Sequence, residues 1–185
     1  MAASIEQLKD HSSRLAVVIM NVASYRSLQD IPREFSQNYW ILIYNNFFDL
    51  AVLGWCKIFG THSEPTHWKN IVDDHETFRK GLLAHLGISE GAWEDYWQEV
   101  KNYRDSEVSH ALRNPAVTRY PNLDNALEAC YYYYNWLINK LRGLGNRQYP
   151  DDLKDYYNRY LAQAKKFSLE ALTATEDITE QVPFI

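Results

Sequence analysis

The sequence predicts an all-α protein, a bundle of four to five main helices with short extra helices. Three observations carry this. No stretch alternates apolar and polar residues as a strand would. Apolar residues recur instead at three- and four-residue steps over long runs. Ser, Asp, Gly and Pro fall at the ends of those runs, where caps and breakers belong. A chain of 185 residues has room for one ordinary domain. That domain is expected to span 1–172, with 173–185 a frayed tail.

The first helix is predicted over 4–24. Ile5, Leu8, Leu15, Ile19 and Val22 mark its inner face, and Ser12 fills the remaining seam position. Residues 27–35, with Pro32, read as a connection. Ser36 or Asn38 caps a second helix that runs to Phe59 and ends at Gly60. It is apolar on nearly every side, which predicts a central, well-covered helix. A polar link around Pro65 leads to a short helix marked by Phe78, Leu82 and Leu86 and stopped at Gly87. Ser89 caps a long helix to about Leu112, and Pro115 and Pro121 bracket a loop. Leu123, Leu127, Cys130, Tyr134, Leu137 and Leu141 trace another long helix, ended by Gly143 and Gly145. Asp151 or Asp152 opens the last, with Leu153, Tyr157, Tyr160, Ala164 and Phe167 on one face. The run YYYY at 131–134 covers all sides of one turn. Some of its rings are therefore expected to face beyond the core, as a second subunit would allow.

Charge and composition narrow the function. The net charge of −5 gives no global basic surface for nucleic acid, so any positive field must be local. One such stretch holds Lys101, Arg104, Arg113 and Arg119 against Asp105 and Glu107. Another holds Lys140, Arg142 and Arg147 with no acid between them. Cys56 and Cys130 lie in separate apolar runs and predict reduced, buried thiols in a cytoplasmic protein. The N-terminus lacks the basic-then-apolar order of a signal peptide. Residues 40–59 are apolar and long enough to cross a membrane, but Asn45, Asn46, Asp49 and Lys57 point to a core helix. His62, His67, Asp73, Asp74, His75 and Glu76 have neither zinc nor calcium spacing, and no Gly-rich phosphate loop occurs. No metal or other cofactor is expected.

One residue breaks the pattern. On a helical wheel Trp93, Trp97, Val100, Val108 and Ala111 form a stripe, and Arg104 stands in its middle. Tyr96, Tyr103, Glu107 and His110 line the flank. A buried guanidinium needs a partner. The candidates are Asp49 or Asn45 from the second helix, Glu107 one turn on, or a ligand anion. The plainer alternative is that Arg104, Glu107 and His110 form an ordinary ion-pair ridge at successive three-residue steps. Arg104 and His110 lie about 120° apart on a straight helix. They meet at one phosphate only if the helix bends or if two copies come together.

The stretch YRDSEVSH resembles the signature of the HEPN superfamily: an Arg, a polar residue, then a His after a short gap. Arg104, Asp105 and His110 match it. NNFFDLAVLGWCKIFG, HWKNIV, FRKGLLAHLGI and VKNYRDSEVSHAL resemble its abortive-infection branch, in order, over 38–141. The resemblance implies a HEPN-like up-and-down bundle that dimerises, bringing two motifs into one cleft. It implies a metal-independent endoribonuclease of a toxin–antitoxin or phage-defence system, with an antitoxin or defence partner protein. Other members lack activity and bind RNA, nucleotide or protein. Some toxins of the family carry a Tyr two positions after the His, where a partner enzyme can modify it; Leu112 stands there, which speaks against that regulation.

The chemistry suits these residues. RNA is cleaved when its own 2′-hydroxyl attacks the adjacent phosphorus, a route that needs no metal. Imidazole titrates in the range for a general base or acid. Arginine forks onto phosphate oxygens and keeps its charge. His110 and Arg104 are thus the expected catalytic pair, supported by Asp105, Glu107, Asp49 and Asn45. Lys101, Tyr103 and Arg113 are the expected RNA-binding residues.

Overall fold

The computed structural model describes residues 3–31, 37–108 and 120–179, without the side chains of residues 107 and 108. Among them there is no strand. Ser4 opens α1 (Ile5–Gln29) with a reciprocal cap: its hydroxyl accepts from the Gln7 amide at 3.2 Å, and the Gln7 side chain accepts from the Ser4 amide at 2.9 Å. Ser12 is fully buried and donates to the Leu8 carbonyl at 2.9 Å, so the seam tolerates its hydroxyl. The helix continues past its expected end at residue 24. Nothing interrupts it there: Leu28 is buried, and Arg26 reaches the Asp124 carboxylate and the Tyr157 hydroxyl.

α2 (Asn38–Phe59) follows Gln37, and the alternative cap Ser36 lies outside the described residues, as does Pro32. After a single 3₁₀ turn (Trp68–Asn70) come α3 (His75–Leu86) and α4 (Glu90–Tyr103). Gly87 stops α3 in the left-handed region at φ 66°, a conformation that favours glycine. A π-helical turn (Arg104–Val108) extends α4. α5 (Asp124–Gly143) and α6 (Leu153–Ala174) complete the chain, α6 being capped by Asp152.

Contacts between numbered partners fix the directions. Val18 lies against Gly54 and Tyr25 against Tyr44, so α1 and α2 are antiparallel. His11 meets Tyr133 while Arg26 meets Asp124, so α5 also opposes α1. Trp55 packs on Trp93 and Phe48 on Tyr103, which sets α4 against α2. Tyr131 meets Tyr157 and Tyr134 donates to the Pro150 carbonyl, so α6 turns back along α5. The main helices α1, α2, α4, α5 and α6 thus alternate in direction, up and down.

α2 is not the well-covered helix; α1, packed by α2, α5 and α6, and α5, packed by α1, α3 and α6, hold the core. Tyr131, Tyr133 and Tyr134 are buried. Tyr133 shares a 2.9 Å hydrogen bond with His11 on α1, and Tyr132 packs against Phe78 and Gly81 of α3. The four tyrosines therefore face neighbouring helices of their own chain, and the expectation that some look outward is corrected. Each hydroxyl lies at the end of a long ring, so the ring fills the core while the oxygen reaches a polar partner or the surface.

α2 buries only one side. Trp40, Phe48, Ala51, Val52, Trp55 and Phe59 face in. Tyr39, Leu42 and Leu50 are 62%, 57% and 52% exposed and lie together on the opposite side, with Asn46 between them. Among the described helices it alone is long and apolar enough to cross a membrane, with 33% of its most apolar window buried. Phe167 also departs from expectation, at 63% exposure. The inward face of α6 drifts from Leu153 and Tyr157 to Ser168, which meets Ser27 at 2.8 Å, and to buried Leu172. Residues after 172 are held rather than frayed as far as they are described. The Gln37 side chain donates to the Thr175 and Ile178 carbonyls, and Trp40 donates to the Thr175 hydroxyl at 3.0 Å.

Candidate functional site around Arg104

Ser89 starts the helix that carries the site, its hydroxyl accepting from the Ala92 amide at 3.2 Å. The buried stripe of α4 is Trp93, Tyr96, Val100 and Tyr103. Its centre is rotated toward the tyrosines because both bury their rings with satisfied hydroxyls. Tyr96 donates to the Asn122 carbonyl at 2.9 Å, and Tyr103 donates to Asp49 at 2.8 Å. Arg104 therefore stands at the edge of the stripe, not in its middle as the wheel suggested.

Arg104 finds its partner next door. Its Nε and one Nη donate to a single oxygen of Asp105, at 2.7 and 2.5 Å. Lys101 donates to the other Asp105 oxygen at 3.1 Å. The Arg104 side chain is 15% exposed and that of Asp105 is 41% exposed. Partial burial works to raise the Asp105 pKa, but the hydrogen bonds from Arg104 and Lys101 outweigh it and hold the carboxyl below its ordinary value. Two cations share one anion, so the cluster keeps a net positive charge.

The backbone here is a π-helical turn, a geometry frequent at functional sites. The Ser106 hydroxyl donates to the Asn102 carbonyl at 2.7 Å.

The expected site residues fare differently. Lys101, Arg104 and Asp105 come together. Asp49 accepts from Tyr103, one residue before the arginine. Asn45 is half-exposed and joins neither. Tyr103 is 7% exposed, packed on Phe48 and Tyr120, so its ring is a core element and not the expected surface for RNA. His110, Arg113 and the Glu107 side chain lie outside the described residues. Cys56 sits close enough to feel the charges of Arg104, Asp105 and Lys101, but burial dominates and pushes its thiol up to about 12.

Two cavities border the site. Lys101 lies over the Trp97 ring, 5.8 Å from its centre. Trp97 in turn walls a cavity of about 310 Å³ with Trp68, Trp93, His62, Lys69 and Arg79. A wider cleft of about 880 Å³ is lined by Tyr25, Arg26, Tyr44, Phe48 and Tyr120. In the sequence His62 and His67 stand out only as candidate metal ligands. Their rings lie 5.3 Å apart, and no group of three or more ligating side chains occurs among the described residues. The signal for the first cavity was the pair Trp93 and Trp97, one helical turn apart.

Compared with protein-family models, curated proteins and solved structures, the chain matches none.

Proposed function

We propose that this chain is a cytoplasmic, homodimeric, metal-independent endoribonuclease of a toxin–antitoxin or phage-defence (abortive-infection) type, built on a HEPN-like bundle. One observation carries the reading: Arg104 is not consumed by the core but held at its edge by Asp105, beside Lys101. A scissile phosphate can replace the carboxylate as the partner of the guanidinium, and Lys101 adds a second positive charge. His110, in the motif that resembles the HEPN signature, acts as general base or acid and the partner subunit's His110 takes the other role, so that the 2′-hydroxyl proton is removed and the leaving 5′-oxygen is protonated. The 2′-hydroxyl oxygen bonds to phosphorus as the 5′-oxygen leaves. The products end in 2′,3′-cyclic phosphate and 5′-hydroxyl.

The exposed apolar row of Tyr39, Leu42 and Leu50 supports the homodimer. Asp49 and Cys56 lie at one edge of that row on the wheel of α2, so a two-fold contact there sets two Arg104 clusters near each other. A second reading is a non-catalytic module that binds RNA, nucleotide or a protein partner through the same surface. It is favoured by the direct closure of Arg104 on its own neighbour, Asp105, which an incoming phosphate must displace.

The deciding experiment incubates the protein with RNA in chelator and identifies the new ends, beside His110→Ala and Arg104→Ala. Cyclic-phosphate ends that vanish in both variants support the nuclease. Equal cleavage by His110→Ala refutes it, and RNA binding without cleavage favours the second reading.

A further inference from the structure

We infer that the tryptophan-walled cavity beside Lys101 is a stacking subsite for one unpaired nucleobase of single-stranded RNA, whose backbone phosphate lies along Lys101 toward Arg104. The inference deepens the reading of Arg104 as a phosphate-binding residue and rests on it.

Four features of the cavity point this way. Its volume, about 310 Å³, is at the size of a small-ligand site. Its walls include Trp68, Trp93 and Trp97, with Phe59; Trp68 already stacks on Phe78 at 4.6 Å and Trp93 is buried, so the half-buried Trp97 is the flat partner left for an incoming ring. Its rim carries both hydrogen-bonding senses. Glu94 accepts, while Lys69 and Arg79 donate, as the edge of a base requires. Lastly, the Arg79 Nε is buried with no hydrogen-bond partner among the described residues, although its terminal nitrogen reaches Glu90 at 3.0 Å. An orphan donor of that kind marks a polar shell that the chain does not complete by itself.

Charge distinguishes the two ends of the site. Lys69 lies over Trp68 at 5.7 Å and Lys101 over Trp97 at 5.8 Å, so each outer tryptophan carries a cation on its face. His62 is exposed beside the buried His67. Burial, helped by the neighbouring His62 and Lys69, lowers the His67 pKa to about 4, so it adds no charge near neutrality. His67 therefore adds no charge to the aromatic wall; the cations that line the cavity are Lys69 and Arg79, and Lys101 stands over Trp97 on the side of Arg104. From Trp97 to Lys101 the helix rises about 6 Å. A base and its own phosphate span a distance of that order. The Trp97 ring is anchored, because its Nε1 donates to the Phe59 carbonyl at 2.7 Å.

The test measures fluorescence anisotropy of a labelled single-stranded RNA decamer, 2′-O-methylated so that it cannot be cleaved, beside an abasic decamer of the same charge. The proteins are the full chain, Trp97→Leu, Trp97→Phe, Lys69→Ala and Arg104→Ala, each checked for retained fold by circular dichroism. Trp97→Leu is expected to weaken binding of the decamer roughly tenfold, the loss of one stacked base, and Trp97→Phe to recover most of it. Lys69→Ala, half-exposed and outside the core, is expected to cost about threefold and serves if Trp97→Leu does not fold. The abasic decamer is expected to bind all three as it binds the parent, apart from the lost charge in Lys69→Ala. If the decamer binds Trp97→Leu, or Lys69→Ala in its place, as tightly as the parent while Arg104→Ala binds poorly, the stacking subsite is wrong and the phosphate role of Arg104 stands. If Trp97→Leu weakens binding and Arg104→Ala does not, the cavity stands and the phosphate role falls. Failure of the parent to bind the decamer overturns both.

Discussion

His11 is a sensitive probe of how this bundle is held together. It is 2% exposed, in the seam between α1 and α5, and shares a 2.9 Å hydrogen bond with the equally buried Tyr133 hydroxyl. Burial lowers its pKa from 6.5 to about 4, against a smaller opposing effect of Asp10. A depressed histidine pKa means that the unfolded chain binds the proton more readily than the folded one. Stability is therefore complete well above pH 6.5 and falls as pH drops from there toward 4. Between pH 7 and pH 5 this one residue should cost about 2 kcal/mol, and about 3 kcal/mol once the whole window is crossed. His67, lowered to about 4 by burial with His62 and Lys69 assisting, adds a cost of similar size over the same range. The parent protein should thus lose about 4 kcal/mol from pH 7 to pH 5, a large part of a typical domain's stability. His11→Gln, neutral at every pH and able to hydrogen-bond Tyr133, should lose only about 2 kcal/mol over the same interval. Urea denaturation at the two pH values measures both numbers. An unchanged pH dependence in His11→Gln would refute the argument that this imidazole is folded in its neutral form.

Three other predictions concern the backbone, the site and the assembly. A β-carbon at Gly60 would lie 2.3 Å from the Cys56 carbonyl oxygen, so Gly60→Ala must distort the end of α2. It should lower stability by about 2–4 kcal/mol in thermal or urea denaturation, whereas Gly91→Ala, with no atom within 4 Å of the added carbon, should not lower it. Asp105→Asn frees Arg104 and Lys101 of their shared anion. RNA affinity at low salt should rise a few-fold, and cleavage should fall because the guanidinium loses its anchor; filter binding and end-group analysis read the two effects. Leu50→Asp places a charge in the exposed apolar row of α2 and should convert a dimer to a monomer in sedimentation analysis without altering the helical circular-dichroism signal.

How much of this could be read from the chain alone depends on what each feature needs. Helix positions were legible because caps and breakers are local: Ser89, Gly87 and Asp152 act within a turn of where they stand. The coverage of α2 is not legible in the sequence, because apolarity says how greasy a helix is, not how many neighbours surround it. α5 carries tyrosines, whose polar ends disguise a buried ring, while α2 carries aliphatic residues on a side that α1 and α4 leave uncovered. Tyrosine caused the second error too. Counting Tyr96 and Tyr103 as flank residues put Arg104 at the middle of the stripe, when their satisfied hydroxyls let them define that middle. The partner of Arg104 escaped the wheel because Asp105 is its immediate neighbour, a spacing that a regular helix does not bring face to face. The tryptophan cavity draws on α2, the segment after it, α3 and α4, and no periodicity within one helix records such a meeting.

The late position of α5 in the chain has a consequence for synthesis on the ribosome. α1 emerges first, yet two of its long-range partners, α5 and α6, are made last. Until residues 124–143 leave the exit tunnel, His11 of α1, Phe78 of α3 and Tyr96 of α4 wait without the helix they pack against. Such a nascent chain presents sticky surface for most of its translation, and its yield in a cell should depend on chaperones that shield it until the last third arrives.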